Sequence, residues 1–322
     1  MDVSRWPTLD PELAPIVAML PETSDAFDDI PAARAMFDEW LPDGPVEGEE
    51  HVVVRDEVVD GVAVRVYRPR GVDGDLPGIL YLHGGGFCIG SIETEHLACV
   101  VLTSLVQCVV VNVDYRLAPE HPYPAGLEDC YTALTYLAGL DGVDTTRVAV
   151  HGQSAGGGLA AATALLARDR GGPALCFQAL GIPELDDRLE TPSMTTFTDT
   201  PMWARPQAEK SWEYYLGGQE ADQYAAPARA EDLSGLPPTY LTTCELDPLR
   251  DEGLTYAMRL LAAGVPVELH NYAGAFHGAM LVQGAAVVKR MQADLVGALD
   301  RALNRALNRA AQSRAAQSQA PQ

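Results

Sequence analysis

An α/β fold, with an eight-stranded, mostly parallel sheet covered by helices on both faces, follows from three features of the sequence. Short β-branched runs alternate with longer helical patterns from about residue 50 to residue 300. The first two runs are joined by Asp60-Gly61, a hairpin signal, so the sheet begins antiparallel before turning parallel. A chain of 322 residues with 47% hydrophobic content can also bury one large core.

The strands are expected at 52–58, 62–68, 78–82, 108–113, 147–151, 174–180, 238–243 and 266–272. From the third onward each is followed by a helical stretch, the clearest being 93–106, 125–139, 155–169, 250–263 and 279–300. Gly264 caps the fourth of these and Pro266 prevents its continuation. Residues 46–182 and 236–300 form the core on this reading. Two segments break the alternation and are assigned to a helical cap: 1–45, acidic and proline-rich with helical apolar spacing, and an insertion at 183–235, rich in Thr, Pro, Trp and Tyr. The aromatics of Ser211-Trp-Glu-Tyr-Tyr-Leu216 read as core packing ahead of a roof over an apolar cleft. The tail, 301–322, repeats Arg-Ala-Leu-Asn and then Arg-Ala-Ala-Gln-Ser, extending the last helix with little apolar surface to hold it.

Composition narrows the function. The formal charge of -23 repels phosphate backbones and anionic lipid headgroups, which argues against nucleic-acid and membrane partners. Lys210 and Lys289 are the only lysines, a bias that a GC-rich genome and adaptation to salt explain equally. No apolar run approaches the 18 or so residues needed to cross a bilayer, and the acidic, proline-containing start lacks a secretory pattern, so a cytoplasmic protein is expected. The six cysteines, at 88, 99, 108, 130, 176 and 244, form no C-x-x-C pair and interrupt apolar segments, as buried thiols do.

The chemistry is concentrated where the strand Arg147-Val-Ala-Val150 runs into His151-Gly-Gln-Ser-Ala-Gly-Gly-Gly158 and an Ala-rich helix. This is a G-x-S-x-G elbow: Gly152 and Gly156 permit a turn too sharp for side chains, and Ser154 is pushed into the cleft as a nucleophile. Gly156, Gly158 and Ala161 also match a dinucleotide fingerprint, but they fall inside the helix instead of the turn that opens it. Upstream, the third strand ends in His83-Gly-Gly-Gly-Phe87, whose backbone can approach a ligand closely. Amides of Gly85, Gly86 and Ala155 can form an oxyanion hole, each donor contributing roughly 3 kcal/mol to a charged tetrahedral intermediate. A phosphate cradle is disfavoured, because no Gly-Lys-Ser/Thr follows and the protein is acidic.

A nucleophilic serine needs a base. His277, in Ala273-Gly-Ala-Phe-His-Gly-Ala279 after the last strand, is best placed; His51, His83, His96, His121, His151 and His270 each have a structural explanation. The orienting carboxylate should follow the penultimate strand, where Asp247 is preferred to its neighbours Glu245 and Asp251. The chain order serine, aspartate, histidine is that of α/β-hydrolases.

Together His83-Gly-Gly-Gly86, Asp114-Tyr-Arg-Leu-Ala-Pro-Glu-His-Pro-Tyr-Pro124, the elbow and Asp247-Pro-Leu-Arg-Asp-Glu252 resemble the signatures of the hormone-sensitive-lipase-like (family IV) esterases over about residues 50–300. Gly152-Gln-Ser-Ala-Gly-Gly157 and Ile182-Pro-Glu-Leu-Asp-Asp-Arg-Leu-Glu190 are similar to the bacterial heroin-esterase subgroup, whose members cleave small acyl groups. Gln153 departs from the Asp or Glu common beside the serine, so no role for a charge there is carried over. The resemblance implies a cap above the carboxyl ends of the strands, a small-molecule ester as substrate, and no metal or cofactor.

The expected activity is therefore serine carboxylesterase: His277 takes the proton of Ser154 as it attacks, an acyl-enzyme forms, and water repeats the sequence. The base must be neutral, so turnover should fall as pH drops through the imidazole range, about 6.5 for an ordinary histidine. Two rivals keep the fold: a receptor-like binding protein without catalysis, against which the complete triad argues, and an amidase using the same triad. An exposed sheet edge leaves room for a homodimer.

Overall fold

The computed structural model describes residues 1–20, 27–39, 41 and 44–318, those beyond 304 by backbone alone. The remaining positions of the N-terminal segment, and the last four of the tail, lie outside the described residues. The sheet has the expected eight strands: β1 (Val52–Val59), β2 (Val62–Pro69), β3 (Leu76–Leu82), β4 (Val109–Asp114), β5 (Val143–Gln153), β6 (Phe177–Gly181), β7 (Thr239–Leu246) and β8 (Val267–Phe276). Their spatial order is β1-β2-β4-β3-β5-β6-β7-β8. Only β2 runs against its neighbours, pairing antiparallel with β1 and β4; every other pair is parallel. The β1–β2 hairpin closes through Asp60 and Gly61, both at positive φ (48° and 88°), the two-residue turn whose twist matches that of the strands.

Nine helices are described: α1 (Ala14–Met19), α2 (Ile30–Asp38), α3 (His96–Val106), α4 (Ala125–Gly139), α5 (Ala155–Arg170), α6 (Pro192–Thr196), α7 (Arg205–Leu216), α8 (Arg250–Ala262) and α9 (Ala286–Ser318). The period of two along β3 divides them between the faces. Leu80 and Leu82 pack with Leu127, Leu134, Leu159 and Leu260 of α4, α5 and α8. Ile79 and Tyr81 pack with Val100 and Leu102 of α3 and with Ala298 and Leu299 of α9. All six cysteines are free and five are buried. Among the described residues no helix is long and apolar enough to cross a membrane.

Two helices start later than their sequence patterns suggest. Residues 91–95 form a turn in which the Thr94 hydroxyl donates to the Ser91 carbonyl (2.8 Å), delaying α3 to His96. Between Gly278 and Gly284 the chain makes a single 3₁₀ turn, Ala279–Leu281, before α9 begins at Ala286. The C-terminal repeats continue α9 to Ser318.

The segments outside the alternation close over one end of the sheet. Leu13, at the N-terminal cap of α1, and Val17 within it pack with Ile182, Leu246 and Phe276. Ile30 and Ala33 of α2 share a cluster with Met194, Trp203 and Ala208 from 183–235 and with Cys88 and Ile89 beyond the glycine loop. The Arg34 guanidinium fastens α2 in place by donating to the carbonyls of Cys88 (2.8 Å) and Ala118 (3.0 Å) and to the Glu120 carboxylate.

Candidate active site

Parallel strands deliver their carboxyl ends to one edge, where loops from β3, β5, β7 and β8 converge. Ser154 stands between β5 and α5 at φ 56°, ψ -124°, a conformation that costs a residue with a side chain of order 1–3 kcal/mol. It is over-determined there: the Ser154 amide donates to the Gly181 carbonyl (2.8 Å), and its own carbonyl accepts from the amides of Gly158 and Glu184 (3.0 Å each). The glycines around it have no alternative. A Cβ on Gly152 would lie 2.1 Å from the Gly156 carbonyl oxygen, and one on Gly156 2.1 Å from that of Leu82.

The hydroxyl of Ser154 lies 2.8 Å from Nε2 of His277, and Nδ1 of His277 lies 2.8 Å from Oδ2 of Asp247. Asp247 is fully buried, and its other oxygen accepts the Leu249 amide at 2.9 Å. A carboxylate can only accept, so in the neutral ring the proton sits on Nδ1 and leaves Nε2 free to take the serine proton. The neighbours weighed against Asp247 are otherwise engaged: Glu245 accepts from the Gly274 amide, and Asp251 from Arg250 and the Ser193 amide. Other histidines are also committed elsewhere, Nδ1 of His83 to the Gly84 carbonyl, Nδ1 of His151 to the Ala179 carbonyl, and His96 to the Tyr67 hydroxyl. Burial holds His83 and His151 down at about 4, so both stay neutral.

The glycine loop passes directly over the serine, a Cβ on Gly84 falling 3.5 Å from that of Ser154. Gly85 and Gly86 have φ of 119° and 54°, and a Cβ on Gly85 would strike the Ile89 carbonyl oxygen at 2.2 Å. Among the described residues no protein acceptor takes the amides of Gly85 and Gly86. Ala155 opens α5, where no carbonyl of its own helix can reach its amide. None of these three amides has an acceptor within the protein among the described residues. The loop is braced from below by Tyr115, whose ring stacks on His83 (centroids 4.0 Å apart) and whose hydroxyl donates to the His83 carbonyl at 2.8 Å.

Residues 79–281 match the family described as the alpha/beta hydrolase fold. The chain belongs to that family. The hydrolase is 41% identical to carboxylesterase NlhH of Mycobacterium tuberculosis over 87% of this chain and 92% of that protein. It is 39% identical to esterase LipI of the same organism, over 84% of this chain and 88% of its relative. Among solved structures, a bacterial heroin esterase is 50% identical and superposes with a TM-score of 0.88, covering 93% of this chain and 99% of that one.

Around the serine of this hydrolase, three features have contacts that no local sequence pattern discloses. Trp203 stacks on the His277 ring (centroids 5.7 Å apart) and meets Phe27 edge-on, and these two rings occupy the space that a Cβ on Gly86 would need. Glu252 accepts the amides of Leu185 (2.6 Å) and Asp186 (3.2 Å), and burial raises its carboxyl well above the usual range. Glu184, fully buried behind the serine, is raised to about 8, by burial first and then by the negative charge of Asp247. Trp212 and Tyr215 of α7 pack on Phe87, Tyr215 face to face at 4.0 Å, in keeping with their reading as core.

Proposed function

We propose that this chain is a serine carboxylesterase that cleaves short-chain acyl esters through an acyl-enzyme on Ser154. The observation that carries the reading is the unbroken line of two hydrogen bonds from the Ser154 hydroxyl through His277 to Asp247. His277 is the general base of each half-reaction and then the general acid, returning its proton to the departing alcohol in the first and to the serine oxygen in the second. Asp247 holds the ring in the required tautomer and offsets the charge that it acquires. Amides of Gly85, Gly86 and Ala155 receive the oxyanion, and the mechanism routes no step through a metal or a cofactor.

The N-terminal segment and 183–235 act as a cap in this reading, with Phe27 and Trp203 as its apolar ceiling. That ceiling lies directly against Gly86 and His277, which supports a small acyl group. The names of the relatives, carboxylesterase and esterase, support esters as the substrate class. The charge of -23 supports a partner set without nucleic acid, and six free thiols fit the cytoplasm. β8, an edge of the sheet, offers a homodimer its pairing surface.

A chromogenic ester series from acetate to palmitate, run with wild type and Ser154→Ala, tests the proposal. Wild type should favour the short esters, and the variant should lose on the order of 10⁴-fold or more in kcat. Equal rates on acetate and palmitate would remove the short-chain preference. Full activity in Ser154→Ala would remove the serine mechanism. A matched acetyl ester and acetyl anilide separate an esterase from an amidase, the ester being the faster here.

A further inference from the structure

Ser211, on the inner face of α7, places its hydroxyl oxygen 3.0 Å from two acceptors at once: the Gly86 carbonyl oxygen and Oε1 of Glu184. A hydroxyl has one proton to give, and a carbonyl can only accept. With an ionised Glu184 the two acceptors would share that one proton; both contacts are full, undivided hydrogen bonds only if Glu184 carries a proton and donates it to Ser211, leaving the serine proton for Gly86. The surroundings agree with a neutral acid. Among the described residues no arginine, lysine or histidine pairs with Glu184. The carboxyl groups that interact with it electrostatically, Asp247 and Glu252, disfavour a second negative charge there. Burial raises its carboxyl to about 8.

The same residue is tied to the elbow through its backbone. Its amide donates to the Ser154 carbonyl (3.0 Å), and α5 approaches it so closely that a Cβ on Gly158 would lie 2.1 Å from its carbonyl oxygen. One residue thus spans the elbow behind Ser154 and, through Ser211, the glycine loop in front of it. Gly86, a glycine at φ 54°, has no side chain of its own to hold it.

We infer that Glu184 is a positioning residue for ester cleavage: as a neutral acid it donates to Ser211, which donates to the Gly86 carbonyl and fixes the oxyanion donors relative to Ser154. The inference rests on the esterase reading above. Donors aimed at the tetrahedral oxygen act in the transition state and not on the bound ester, so their misalignment lowers kcat and leaves KM nearly unchanged.

The test is steady-state kinetics on a short chromogenic ester, with thermal melting beside it, for wild type, Glu184→Ala, Glu184→Gln, Ser211→Ala and the Ala/Ala double variant. Glu184→Ala should lose about 10- to 100-fold in kcat, part of the 10²–10³ that a deleted oxyanion donor removes, with KM within about twofold. Glu184→Gln, whose amide still donates to Ser211, should recover most of that loss. Ser211→Ala should fall about as far as Glu184→Ala, and the double variant little further, as expected when two residues act in one relay. The inference is overturned if Glu184→Gln falls as far as Glu184→Ala, if KM moves instead of kcat, if the two losses multiply, or if the variants melt lower with kcat intact. Should Glu184→Ala not fold, a wild-type kcat in Ser211→Ala, which removes one oxygen, overturns it as well. An active wild type with unaffected variants sinks this inference alone, whereas a wild type that cleaves no ester sinks the esterase reading beneath it.

Discussion

At the scale of single residues, the site is built from positions that tolerate no other side chain and positions that need one particular side chain. Gly152 is of the first kind. Its Cβ would fall 2.1 Å from one carbonyl oxygen and 2.8 Å from another, both backbone, so nothing flexible can yield. Gly152→Ala should therefore cost more than about 3 kcal/mol, or prevent folding; a urea midpoint within experimental error of wild type would contradict this. Asp247 is of the second kind. Asp247→Asn keeps the shape but offers its amide group or a neutral oxygen to His277, so kcat should drop by roughly 10⁴ with the fold intact. Circular dichroism matching wild type beside undiminished kcat would remove Asp247 from the mechanism.

At the scale of elements, the strands carry the chemistry and the segments between them shape the space around it. β7 and β8 run to Leu246 and Phe276, one residue short of Asp247 and His277, so the two groups proposed to act with Ser154 begin where sheet pairing ends. Trp203 comes from the 183–235 segment just ahead of α7 and lies against both His277 and Gly86. Replacing it with alanine removes the ceiling and its contact with the base. Trp203→Ala should shift the acyl-length optimum toward longer chains, by about 1–3 kcal/mol in relative kcat/KM. Rates on acetyl, butyryl and octanoyl esters measure that shift, and an unchanged profile would assign the limit to other walls.

At the scale of the whole molecule, acid stability is coupled to two buried histidines. His83 and His151 titrate at about 4 in the fold and near 6.5 when unfolded, so between these values the unfolded chain binds more protons. Their contribution is complete above about 6.5 and is lost as pH falls toward about 4, on the order of 1–3 kcal/mol each. Chemical denaturation across that window should show stability falling, and the fall should be shallower in His151→Asn, which keeps a donor for the Ala179 carbonyl. Glu184 has the opposite sign. Its raised carboxyl favours the fold below about 4.5 and loses that contribution as pH rises toward 8, so Glu184→Gln should gain stability over wild type across that range. A difference independent of pH would mean that Glu184 is ionised in the fold.

Local rules made much of this protein legible from its sequence. Short β-branched runs set between helical patterns, and the glycine-rich turns, identified eight strands and the elbow, because strand preference and forbidden φ act on neighbouring residues. Chain order then singled out His277 and Asp247, since parallel strands send successive loops to the same edge. The late starts of α3 and α9 were less visible, being set by a hydroxyl-capped turn and by paired glycines in stretches whose apolar spacing still reads as helix. What Glu184, Ser211, Tyr115 and Trp203 do was hidden, although two of them lie in motifs that the sequence displays. Each acts on a residue far away in the chain: Ser211 on Gly86, Tyr115 on His83, Trp203 on His277. Such partnerships leave no period and no turn signal. They exist only once the sheet has brought distant segments together, where burial decides the charge of a carboxyl and one proton decides which of two neighbours it serves.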